Sequence, residues 1–204
     1  MASVSGLPVN ICQLGLLQGR GKSSLRLVMQ LGVGMANLSL EILKALAVEI
    51  DGERLSQEIS TLSPYNNYVL SVEFIDGKCQ PIFGLEILPA VPEGYSLREA
   101  SLGPYFSDRF FPGVETYLLN RQLAEPKTLK QLAQIRFAKI ITNNQTLTER
   151  LQNKLVRSKQ IMVLGGTNHL KLVWGKNAWL KCKAYFRAVM NYAMKKAVRS
   201  DKNQ

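Results

Sequence analysis

Residues 68–75 and 80–88 are two runs rich in β-branched, aromatic and aliphatic side chains, and Asp76-Gly77-Lys78 stands between them. Asp-Gly accepts the positive φ angles of a tight two-residue turn, so the two runs are expected to fold back on each other as an antiparallel hairpin. No other stretch of the 204 residues restricts the fold as closely. A lone hairpin is marginal in water and needs further strands or a helix against one face. Both are readable upstream. Residues 7–17 are apolar and strand-like and run into the flexible Gly19-Arg20-Gly21-Lys22-Ser23, after which Leu25, Leu27, Met29 and Leu31 alternate as in a strand. Leu38, Ile42, Leu43, Leu46, Ala47 and Ile50 then recur at helical spacing. With Asn37 or Ser39 as cap and Gly52 as stop, they predict a helix over 39–50. Leu55, Ile59 and Leu62 predict a second helix, ended by Pro64.

Downstream, Pro89, Pro92, Gly94, Gly103, Pro104, Pro112 and Gly113 are too much punctuation for a long regular element, so 91–113 reads as a loop or linker. Beyond it the spacing predicts a helix over 114–124 and another, capped by Thr128, over 128–141. Thr142-Asn143-Asn144-Gln145 makes a break. A third helix over 146–158 follows, with Thr146 and Glu149 as a capping box and Leu147, Leu151 and Leu155 as its buried stripe. Short apolar runs at 161–164 and 170–174, joined by Gly165-Gly166-Thr167-Asn168, read as a second hairpin, and an amphipathic helix over 177–199 closes the chain. The expected fold class is therefore α+β. A small N-terminal antiparallel sheet with helices spans 1–90, and a mainly helical basic part with one hairpin at 161–174 spans 114–204. Residues 114–174 run helix, helix, turn, helix, hairpin, the element order of a winged helix-turn-helix.

The charge is unevenly distributed. Residues 127–204 hold 17 Lys+Arg against 2 Asp+Glu, a net +15, whereas residues 1–126 hold 9 against 13, a net −4. Such a cationic excess repels itself in a folded chain and is relieved by an anionic partner, either nucleic acid or an acidic membrane or protein surface, of which nucleic acid is the expectation taken. With Leu147, Leu151 and Leu155 inward, Arg150, Lys154 and Arg157 share another helix face near Gln152 and Asn153, as a major-groove helix would present them. Lys159, His169, Lys171, Lys176, Lys181, Lys183 and Arg187 complete the expected phosphate contacts. The apolar side of the last helix, with Trp179, Cys182, Phe186, Val189 and Met190, is read as a packing face.

The expected function is a non-enzymatic nucleic-acid-binding protein, with DNA slightly favoured over RNA and a protein partner on the acidic N-terminal part. The alternative is an RNA-binding or scaffolding subunit of a larger nucleoprotein complex. No cofactor and no metal are expected. No apolar run reaches the ~18–20 residues of a membrane-spanning helix, and residues 1–10 lack the start of a signal peptide. The expected place is the cytoplasm, with Cys12, Cys79 and Cys182 as reduced thiols outside any metal-ligand spacing.

Other motifs are weaker. Gly21-Lys22-Ser23 ends like a phosphate-binding loop, but the position that should hold its first glycine is Leu16. Leu46-Ala47-Val48-Glu49-Ile50-Asp51-Gly52-Glu53 resembles the helix-ending motif of LAGLIDADG homing endonucleases. It departs from that pattern in placing Val48 where a small Gly belongs and Glu49 where an apolar residue belongs, so the family is not assigned. A metal-dependent nuclease is thus a minor alternative, with Asp51, Glu53, Glu73 and Asp76 as ligands. The single histidine, His169, reads as a structural group or phosphate contact rather than a general base. Tyr95, Arg98, Tyr105, Phe106, Arg109, Phe110 and Phe111 either stack unpaired bases or anchor the long loop on the core, with anchoring favoured.

Overall fold

The structure, a computed structural model, describes residues 7, 9–17, 24–90, 106–135, 137–141 and 161–192. Among them, eight strands make one antiparallel sheet. They are β1 (Asn10–Leu17), β2 (Ser24–Val33), β3 (Asn67–Ile75), β4 (Lys78–Cys79), β5 (Phe83–Leu88), β6 (Phe137–Ile141), β7 (Ile161–Gly175) and β8 (Ala178–Tyr192). The described helices are α1 (Leu38–Ala45), α2 (Gly52–Ser60), α3 (Val114–Asn120) and α4 (Pro126–Gln134). The strands lie in the order β1-β2-β3-β5-β7. β7 carries β8 along one whole side, and β5 and β6 end to end along the other. No helix among the described residues is long and apolar enough to cross a membrane.

The Asp76-Gly77 turn forms as the sequence requires: both residues have positive φ, 51° and 73°, and Ile75 pairs with Lys78 across them. The second run is nonetheless broken. Pro81, which has no N–H to give to a ladder, sits in the Gln80-Pro81-Ile82 interruption, and β5 resumes pairing with the first half of β3.

The mainly helical C-terminal part is not what forms. Residues 165–168 are not a turn but the middle of β7, so there is no hairpin within 161–174. Residues 178–192, expected in the last helix, are strand β8 instead. The hairpin turn is Lys176-Asn177, with φ of 53° and 58°, between paired Gly175 and Ala178. α4 starts on Pro126 rather than at Thr128, and residues 137–141 leave the predicted helix to become β6. The winged-helix order is therefore overturned, and its third helix, with Arg150, Lys154, Arg157 and Lys159, lies outside the described residues. The physical reason lies in periodicity. Trp179, Cys182 and Phe186 fit a helical stripe, but Lys181 to Arg187 also alternate strictly between polar and apolar, and the open edge of β7 selects the period of two. Register shifts between Thr167 and His169 and between Val173 and Trp174 keep that alternation in phase with the partner strand.

One face of the sheet is apolar. Met29, Leu70, Leu85 and Leu172 lie opposite one another across four strands, and all four are fully buried or nearly so. Ile42 and Leu43 of α1, Leu55 and Ile59 of α2, Leu118 of α3 and Leu129 and Leu132 of α4 join the same core. Trp174 stacks on Phe83 with centroids 6.2 Å apart and meets Trp179 edge-on at 4.9 Å. Phe106, Phe110 and Phe111 are core anchors, so these three rings are not a base-stacking surface; Tyr95, Arg98 and Tyr105 lie outside the described residues. Asn66 Nδ2 donates to the carbonyls of Leu88 and Phe110, fixing this segment beside β5.

α1 ends earlier than its apolar periodicity suggests. The Val48 N–H reaches back to Leu43 O and the Ala47 N–H to Lys44 O, with Ala47 left-handed at φ 53°. That is a Schellman termination carrying alanine where glycine is usual. A left-handed alanine costs roughly 1–2 kcal/mol, partly offset by the greater unfolded-state entropy of glycine. Ala47→Gly should therefore raise unfolding stability by about 0.5–1 kcal/mol, read from the urea midpoint; an unchanged or lower midpoint would contradict the assigned cap.

Candidate functional site

The other face of the sheet is mixed, with charged and polar side chains set among the buried Val28, Val69 and Val173. Register places Val28, Ser71, Gly84, Val173 and Lys181 in one row across it, and Gln30, Val69, Glu86, Lys171 and Lys183 in the next. Tyr185 lies opposite His169, and Arg187 opposite Gly166. Arg26 of β2 shares this face opposite Glu73. Because side chains alternate along a strand, Lys181, Lys183, Tyr185 and Arg187 all project to the same side of β8.

At the centre is a half-buried polar cluster. Lys171 Nζ donates to Ser71 Oγ at 2.5 Å and to Glu86 Oε1 at 3.2 Å, and Ser71 Oγ donates to Gly84 O at 3.2 Å. The lysine crosses β5 over Gly84, where a Cβ would stand 2.1 Å from Lys171 Cε, so glycine is what lets the chain pass. His169 Nε2 faces Glu86 Oε2 at 3.6 Å, and its Nδ1 lies 2.8 Å from Asn168 Nδ2. An amide donor at Nδ1 puts the proton of the neutral ring on Nε2, toward the carboxylate. The imidazole stacks on Tyr185 with centroids 4.4 Å apart and planes 16° apart.

The charges act on one another. Burial lowers the Lys171 pKa, Glu86 pulls it back up, and the neighbouring Arg26 and Lys183 charges press it down further. Burial likewise lowers the His169 pKa below its usual 6.5, against the pull of Glu86. Nδ1 of His169 is taken up by the Asn168 amide and the ring is stacked on Tyr185, which suits the group to holding a position.

The structure brings His169, Lys171, Lys181, Lys183 and Arg187 together on this face. It puts Lys176 in the β7–β8 turn, off the face. Sequence reasoning passed over Arg26, Ser71, Gly84, Glu86 and Tyr185, although alternation in Lys181-Cys182-Lys183-Ala184-Tyr185-Phe186-Arg187 was there to place the tyrosine. The nuclease carboxylates do not converge. Asp51 caps α2 by accepting the Arg54 N–H at 3.0 Å, Glu73 accepts from Ser24 Oγ, and Asp76 is in the hairpin turn. Among the described residues no three His, Cys, Asp or Glu could hold a metal ion together.

On the helix side, a groove of about 1010 Å³ runs between α3, α4 and the β7–β8 ribbon. Leu123, Leu132, Ile135, Cys182 and Phe186 are among its mostly aliphatic lining, and its ionisable groups are Glu125 and the Cys182 thiol, which burial pushes up to about 12. That lining is not equipped for acid–base work at neutral pH.

Two outcomes test the cluster. Gly84→Ala should expel Lys171 from its slot and cost about 1–3 kcal/mol of stability, measured by urea unfolding. For His169 the folded-state pKa is the depressed one, so stability is complete above about pH 6.5 and declines as the pH falls through that value. His169 is the chain's single histidine, so His169→Gln should flatten the unfolding free energy between about pH 7 and 5.5; equal slopes in variant and parent would refute the assignment. Comparison with protein-family models, curated proteins and solved structures returns no match.

Proposed function

We propose that this chain is a nucleic-acid-binding protein that holds a phosphate backbone on the polar face of its sheet, along β8. The observation that carries the reading is the placement of Lys181, Lys183 and Arg187 at alternate positions of one edge strand, none in an ion pair among the described residues. Lys171 and Glu86 balance each other and Arg26 lies opposite Glu73, so the uncompensated charge on this face is that of Lys181, Lys183 and Arg187. Cations held side by side at this spacing repel one another, and an extended polyanion laid along the strand relieves that repulsion. A linear array without an enclosing pocket suits a polymer better than a small anion. The phosphate chemistry is common to DNA and RNA.

The test is fluorescence anisotropy of the full chain with duplex DNA, single-stranded DNA and structured RNA across a salt series. Changing Lys181, Lys183 and Arg187 together to Ala should weaken binding and lower the log–log salt slope by about one per cation removed, with the fold checked by circular dichroism. Failure to bind any of the three at low salt would overturn the function, and an unchanged slope in the triple variant would overturn the sheet face as its site.

A further inference from the structure

Among the cations of the polar face stands one exposed ring. Tyr185 is 39% exposed, and Lys183 and Arg187 flank it two residues away on either side of the same strand face. Its inner surface lies against His169, whose Nδ1 meets the Asn168 amide at 2.8 Å and whose Nε2 faces Glu86 at 3.6 Å. The imidazole thus backs the tyrosine before any ligand arrives, and binding to a backed ring costs less further ordering than binding to an unsupported side chain. β8 is an edge strand, with no strand beyond it among the described residues. Of the rings considered for stacking in residues 95–111, Phe106, Phe110 and Phe111 are spent in the core, and Tyr95 and Tyr105 lie outside the described residues.

From this arrangement we infer that the nucleic acid taken up is single-stranded and that one unpaired base stacks on Tyr185, its flanking phosphates held by Lys183 and Arg187. The inference rests on the nucleic-acid reading above. A duplex keeps the faces of its bases covered by neighbouring pairs, whereas a single strand can offer one to an aromatic ring. An aromatic set between cations is the arrangement that grips such strands with little regard to sequence. His169 acts here as a positioning residue behind the tyrosine.

The experiment compares the full chain with Tyr185→Leu and Tyr185→Phe, using labelled oligothymidine, an abasic strand of the same length and a duplex. Wild type should prefer the base-bearing strand to both the abasic strand and the duplex. Tyr185→Leu should lose roughly 5- to 100-fold in affinity for the base-bearing strand, with an unchanged salt slope and little change on abasic or duplex ligands. Tyr185→Phe, which keeps the ring, should bind like wild type. Equal affinity of wild type for base-bearing and abasic strands, tighter duplex binding, or an unaffected Tyr185→Leu would overturn the stacking inference alone. If wild type binds no nucleic acid at all, the reading beneath it fails as well.

Discussion

The pairing of β5 with β7 is the contact on which the remaining architecture depends. It joins strands far apart in sequence, with Leu85 opposite Leu172 and Glu86 opposite Lys171. In that register the leucines complete the buried row begun by Met29 and Leu70, and the charged pair falls on the opposite side. A slip of β7 by one residue would send Lys171 into the core and Leu172 onto the opposite face, while β5 stays in register with β3. Register here is thus fixed by the hydrophobic effect on one face and by charge on the other.

The polar face has its own internal order. Half-burying Lys171 and Glu86 costs solvation, which their mutual contact and the Ser71 hydroxyl offset only in part; hence the lowered lysine pKa. Such a cluster is costly to disturb, because removing either partner strands the other charge in a poorly solvated site. It spans β3, β5 and β7, and through His169 it reaches Tyr185 on β8. The rigid inner groups hold the outer ones, and β8 is left to present Lys183, Tyr185 and Arg187 outward.

Much of the first half of the chain was legible because its signals are local. Asp76-Gly77 needs its positive φ whatever surrounds it, and Leu25 to Leu31 alternate as a half-buried strand must. Even there α1 stops short of its periodicity, since the Schellman bonds at Ala47 depend on geometry that spacing does not encode. The second half misled because apolar spacing between Trp179 and Phe186 satisfies two periods at once, and Gly165-Gly166-Thr167-Asn168 looks like a turn when it is continuous strand. Of the basic residues singled out, His169, Lys171, Lys181, Lys183 and Arg187 reach one face, but on strands rather than on a hairpin wing and a helix.

The Asp76-Gly77 hairpin turn and the concentration of positive charge in residues 127–204 are properties of the chain alone, whereas apolar character does not settle burial: Leu14, Leu16 and Phe186 stand exposed. The turn and the charge follow from backbone sterics and composition, neither of which needs a neighbour to be specified. That residues 178–192 are a strand, that Lys171 passes over Gly84 to Ser71 and that Tyr185 stands on His169 are set by packing between distant segments. Each of those depends on a backbone edge or side chain supplied by a strand distant or antiparallel in the fold, and a periodicity that is ambiguous alone is resolved when one of its two solutions finds hydrogen-bond partners.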